Sequence, residues 1–238
     1  MDSAIDQVKV TFVTTSLGRW HEKTGLAVVQ RVLQSTGPSY TYVTGRGRDK
    51  VVAATRVDVR VEYHVRFLER HGPPSRLSKV AQRIAEMVQS ISGDIVLLLD
   101  ITAVGMPATR KILSAAKDET GARRSFRGAA INITGVAGGL SHSSDGAYML
   151  PRRDLITDAQ GAFEEERLKI ADELPLASTL REELLAFKDT KANRNPDSLE
   201  GWREGHADDL VLAAAMAVWG GERFLVAPEY VVLPERGP

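Results

Sequence analysis

Five aliphatic residues in succession, Ile95-Val96-Leu97-Leu98-Leu99, stand between Asp94 and Asp100. A strand sends alternate side chains to opposite faces, so an unbroken apolar run requires that both faces be covered. This segment therefore predicts an open α/β sheet with helices on both sides, and it puts Asp100 at the carboxyl end of a buried strand. Ligands of open α/β sheets bind beyond that end of the strands. A carboxylate there is placed to reach a cation, or to cap the turn into the next helix through Thr102 and Gly105.

The remaining pattern agrees with such a sheet. Residues 8–15 are β-branched and alternating, 16–23 form a polar turn, and 24–33 resume the strand pattern, which predicts an antiparallel hairpin. Residues 35–39 read as a loop. Within 51–68 the run Val57-Asp58-Val59-Arg60-Val61-Glu62-Tyr63-His64-Val65 alternates as a third, half-buried strand does. Pro73-Pro74-Ser75 opens a helix whose apolar positions Leu77, Val80, Ile84, Met87, Val88 and Ile91 follow helical spacing, and Gly93 stops it. A second helix starts at Pro107 and runs to about Lys117. Residues 129–134 predict a strand, and 135–146, rich in Gly and Ser, a flexible loop. A helix is expected from Pro151 through about Glu166, a short edge strand at Leu168-Lys169-Ile170, and a helix over 178–187. Residues 191–205 are polar and read as mobile. The last helix covers 206–219, and 224–233 form a terminal strand or tail. No linker divides the chain, so residues 1–238 are expected to form a single domain.

The last helix is distinctive. Residues 210–219 are apolar almost all round, which marks a buried helix, yet it opens on the carboxylate pair Asp208-Asp209. Acids at a helix N-terminus are favoured by the macrodipole. Here they also lie against the core, where converging carboxylates repel and a divalent cation relieves the repulsion. Mg2+ or Mn2+ takes oxygen ligands, often a few carboxylates with water and phosphate.

Composition narrows the alternatives. There are no cysteines, which removes a disulfide framework, a thiolate nucleophile and a Cys-type zinc site, and suits a cytoplasmic protein. Lys+Arg and Asp+Glu number 31 each. Nucleic-acid binding would therefore rest on local clusters such as Arg46/Arg48, Arg123/Arg124/Arg127 and Arg152/Arg153. No stretch approaches the ~20 apolar residues of a membrane span, and the N-terminus does not read as a signal peptide. P-loop, HExxH, GxSxG and EF-hand patterns are absent. Gly135–Gly139 as a phosphate loop would instead suggest an unrelated α/β enzyme for a small phosphorylated ligand.

Four segments, in order, resemble the nuclease domain of the phage terminase large subunit, a member of the ribonuclease H-like superfamily that also holds the Holliday-junction resolvases. Ser16-Leu17-Gly18-Arg19-Trp20-His21-Glu22-Lys23-Thr24-Gly25-Leu26-Ala27-Val28 is similar to the family's first hairpin, DLGxxxDxTALAV. Leu99-Asp100-Ile101-Thr102-Ala103-Val104-Gly105-Met106-Pro107 is similar to vDaTGVGxPV. Leu150-Pro151-Arg152-Arg153-Asp154-Leu155 is similar to VPKRDLV. His206-Ala207-Asp208-Asp209-Leu210-Val211-Leu212-Ala213 is similar to HDDLVLA, with one residue inserted after the histidine. The resemblance spans residues 8–219.

It implies a ribonuclease H-like mixed sheet with an N-terminal antiparallel hairpin and helices on both faces. It also implies a hydrolase, an endonuclease using two Mg2+ or Mn2+ ions to cut double-stranded DNA during genome packaging. Asp100 and Asp208 would be metal-binding and catalytic, with Asp209 a neighbouring or alternative ligand. Arg152 and Arg153 would contact DNA phosphates. Ser16 stands where the family has its first Asp, and Glu22 matches a second acidic position that would compensate. This departure admits a weak nuclease with an altered ligand set, a deliberate replacement at Ser16, or a catalytically degenerate module that binds DNA or docks to packaging proteins. The implied partners are double-stranded DNA, a terminase ATPase motor, the small terminase subunit or the portal. For a phage-encoded viral protein the compartment is the host cytoplasm.

Overall fold

The computed structural model of the chain describes residues 9–18, 22–37, 40–47, 50–73, 76–120, 125–134, 140–193, 208–225 and 230–234. In order they form β1 (Val10–Ser16), β2 (Thr24–Ser35), β3 (Tyr40–Gly47), β4 (Lys50–His71), α1 (Leu77–Ser90), β5 (Asp94–Asp100), α2 (Gly105–Thr120) and β6 (Phe126–Thr134). There follow β7 (Ser141–His142), β8 (Tyr148–Pro151), α3 (Arg152–Glu164), β9 (Leu168–Ile170), α4 (Ala177–Asn193), α5 (Asp209–Arg223) and β10 (Tyr230–Pro234). One mixed sheet has the order β10-β4-β2-β1-β5-β6-β8-β7, with β3 and β9 also paired to β4. β2 is antiparallel to both of its neighbours, β1 and β4. β5, β6 and β8 run parallel to β1. This is the α/β architecture expected from the sequence, with its N-terminal hairpin and its mixed sheet.

The aliphatic run of β5 is buried on both faces, and its alternation divides the core in two. Val96 and Leu98 join Phe12, Val29, Tyr63 and Val65 beneath α3, α4 and α5. Ile95, Leu97 and Leu99 join Val13 beneath α1, through Val80, Ile84 and Val88, and beneath α2, through Ile112 and Ala116. Each such aliphatic side chain contributes about 1.5–3 kcal/mol on burial.

Helix α5 lies closest to the sheet, and every residue from Asp209 to Gly221 is buried. Its small side chains explain the approach. A Cβ on Gly221 would stand 2.4 Å from Tyr63 Cε1, and one on Gly220 would stand 2.7 Å from Leu98 Cδ1. The start of α5, which carries the acids, is therefore fixed by packing along its whole length.

Several expectations need correction. The strand foreseen in 51–68 is longer, and its first half pairs with β3, which was not foreseen, and with β10, the strand alternative for the terminal segment. The expected loop over 135–146 is in part a hairpin, because β7 pairs with β8; Gly135–Gly139 lie outside the described residues. So do His206, Arg123 and Arg124, and most of the 191–205 segment, although α4 extends to Asn193. Among the described residues, no helix is long and apolar enough to cross a membrane.

Candidate metal and phosphate site

Parallel pairing puts the carboxyl ends of neighbouring strands on one edge. Ser16, the last residue of β1, stands in register with Asp100, the last residue of β5. On its other side Ser16 faces Gly25 of β2. β8 ends on the same edge through its pairing with β6, and α3 begins there with Arg152. Both Ser16 and Asp100 are buried.

The two oxygens of Asp100 have different surroundings. Oδ1 accepts from Thr102 N at 2.9 Å and from Thr102 Oγ1 at 2.5 Å. Thr102 Oγ1 in turn accepts from Ile133 N at 2.8 Å, which ties the turn to β6. Oδ2 faces Ser16 Oγ at 3.5 Å, a long contact of little strength. The turn-capping role thus falls to one oxygen of the carboxylate, and the other faces the end of β1. Burial pushes the Asp100 carboxyl up to about 6, against the lowering effects of Thr102, Ser16 and the nearby Arg152 charge. A carboxylate in such a place gains from a cation.

Asp208 is the N-cap residue of α5, but its side chain makes no capping hydrogen bond. Its Oδ2 accepts instead from Arg152 Nη2. Arg152 is bonded to Asp208 and within electrostatic reach of Asp100. Its expected phosphate contact would compete with Asp208 for the guanidinium. Arg153 is exposed one residue further along α3.

Asp209 bonds a different arginine. Its Oδ2 accepts from Arg70 Nε at 2.8 Å, and Arg70 Nη2 also bonds Glu183 of α4. Glu183 Oε2 accepts from Val211 N at 3.3 Å, so it satisfies a free N–H in the first turn of α5. A Cβ on Gly25 would lie 2.4 Å from the Asp209 carbonyl oxygen, so β2 admits α5 only because that residue is glycine. Asp209 Oδ1 is buried and has no hydrogen-bond partner. Arg70 and Glu183 carried no periodic or motif signal in the sequence.

The donor chemistry here is of the oxygen kind that a hard cation takes. Mg2+ binds through one or two carboxylates, water and substrate phosphate. Asp100 Oδ2 and Asp208 are the candidates, with the Ser16 hydroxyl beside them. Among the described residues there is no group of three or more His, Cys, Asp or Glu that would make a ready cage. Glu22 is exposed in the β1–β2 connection. The position at the end of β1 offers a neutral hydroxyl, so no carboxylate bridges a pair of ions from there.

No family model matches the chain, and no curated protein matches it. Among solved structures the chain is similar to the human cytomegalovirus terminase nuclease domain, Mn soaked and inhibitor bound. The identity is 13%, the match covers 81% of this chain and 85% of that one, and the TM-score is 0.43.

Proposed function

We propose that the chain is a metal-dependent endonuclease module of the terminase nuclease kind, acting on double-stranded DNA. One observation carries the reading: Asp100 ends a parallel strand at the carboxyl edge of the sheet, and Arg152, ion-paired with Asp208, acts on its charge. Mg2+ or Mn2+ held there would polarise a phosphodiester and activate water. Asp100 and Asp208 hold the ion, the Ser16 hydroxyl lies beside Asp100 Oδ2, and Arg152 and Arg153 meet the backbone without reading sequence. Asp209 holds the start of α5 rather than the ion. A packaging ATPase, the small terminase subunit or the portal are the partners proposed with this reading.

Plasmid cleavage by the purified chain with Mn2+, Mg2+ or EDTA tests it, beside Asp208→Ala and Ser16→Asp. Metal-dependent cutting that Asp208→Ala removes is the expected result. Ser16→Asp is expected to raise the rate about tenfold or more, because it adds a carboxylate facing the developing cation site.

A second reading is favoured by Ser16 itself. With no carboxylate at the end of β1, the module grips DNA or docks to packaging proteins without cutting. Cleavage seen only in Ser16→Asp supports this second reading.

A further inference from the structure

Arg152 is the one basic side chain described here that is bonded to Asp208 while also acting electrostatically on Asp100. Its position is poorly matched to its own helix. It is the first residue of α3, whose N-cap Pro151 makes no side-chain cap. The positive end of a helix dipole disfavours a cation. The favourable interactions of its guanidinium with Asp208 and Asp100 oppose that dipole. The same two features that strain a cation there suit an anion: free N–H groups at a helix start, and an arginine fork that matches phosphate. Asp208 and Arg152 both keep about a quarter of their side-chain surface exposed, at 27% and 22%. Solvent and ligand therefore reach the pair, unlike the Arg70 pair behind it, where Arg70 is 14% and Asp209 6% exposed.

We infer that Arg152 is an exchangeable counter-ion, held by Asp208 until a phosphodiester draws the guanidinium away, so that divalent metal and nucleic acid bind this site cooperatively. The inference rests on the proposed metal-binding role of Asp100 and Asp208. Metal and Arg152 compete for one carboxylate, and phosphate and Asp208 compete for one guanidinium. A ligand that removes Arg152 from Asp208 raises metal affinity, and linkage requires the metal to raise affinity for that ligand by the same factor.

Calorimetric titration of Mn2+ into the wild type and Arg152→Gln, each with and without a short phosphorothioate-linked DNA duplex that resists turnover, tests this. Without DNA, Arg152→Gln is expected to bind Mn2+ about tenfold more tightly than wild type, the size of one charge-assisted hydrogen bond released. The duplex is expected to tighten Mn2+ binding by the wild type and to leave the variant nearly unchanged. If Arg152→Gln does not fold, Arg152→Lys, with a weaker hold on Asp208, is expected to shift Mn2+ affinity in the same direction. Equal or weaker affinity in the folded variant, with binding still abolished by Asp208→Asn, overturns the inference alone. No Mn2+ binding in any protein, or binding indifferent to Asp208→Asn, overturns the inference together with the function it rests on.

Discussion

Two arginines each face two acids at the start of α5, and the two sets have opposite characters. Arg70 bonds both of its acids, Asp209 and Glu183, and joins β4, α4 and α5 in a buried network. Arg152 bonds only Asp208 of its pair and reaches Asp100 through space, at an accessible edge. Similar side chains thus serve as a fixed joint in one place and as a replaceable contact a few residues away. Burial distinguishes them. A buried pair that loses one member leaves an uncompensated charge, whereas a partly exposed pair loses little.

The largest expected effect tests the fixed set. Arg70→Met removes the only cation bonded to Asp209 among the described contacts and leaves two buried carboxylates facing one another. A loss of about 3–5 kcal/mol in unfolding free energy is expected, read by urea denaturation. A loss below about 1 kcal/mol would place this set with ordinary surface pairs and erase the contrast.

Asp100→Asn tests the replaceable set, and the sign reverses. The folded carboxyl is raised from 3.8 to about 6. Its favourable contribution is therefore complete below pH 3.8 and is lost as pH rises through 6. The neutral amide avoids that loss and still accepts from Thr102. At pH 7 without metal, Asp100→Asn is expected to match or exceed the wild type by up to about 1–3 kcal/mol. Stabilisation of the native state by Mn2+ should disappear at the same time. Destabilisation like that of Arg70→Met would make Asp100 structural as well.

The parts of this site that were legible in the sequence are those with a local cause. The aliphatic run ending at Asp100 announced both the double-sided core and the acid at its edge. The apolar α5 announced that Asp208 and Asp209 would lie against the sheet. Which of the two acids pairs with Arg152 and which with Arg70 was not legible, because Arg70 is brought in from β4, 139 residues before Asp209. The β7–β8 hairpin did leave a trace: Asp145-Gly146 is a turn pair, Gly146 has φ +91°, and Ser143 Oγ accepts from Ala147 N at 3.0 Å. The Gly- and Ser-rich composition around it masked that signal. β3 was passed over because the 40–47 segment mixes β-formers with glycines.

The finest distinction between the two sets lies in their pH dependence. Burial, assisted by the charge of Asp209, pushes the Glu183 carboxyl from 4.5 up to about 7, against the pull of Arg70. One arginine does not fully compensate two buried acids, so one of them holds a proton more tightly when folded. Because the folded value is raised, the Glu183 contribution is complete below pH 4.5 and is lost as pH rises through 7. Asp100 declines in the same direction but is finished near pH 6. The interval from pH 6 to 7 therefore belongs to Glu183 and the interval from 3.8 to 4.5 to Asp100. Glu183→Gln is expected to flatten the stability profile between pH 6 and 7 by roughly 1 kcal/mol, and to leave the slope below pH 4.5 intact. Asp100→Asn should do the converse. Thermal or urea unfolding across that range separates them, and Mn2+ sharpens the result. A metal held by Asp100 needs the ionised carboxylate, so Mn2+ should have no effect at the acid end and should raise stability as pH climbs through the Asp100 range, leaving the Glu183 decline between pH 6 and 7 in place. Loss of that decline in Mn2+, with the Asp100 range unchanged, would relocate the cation to the Asp209 side of α5.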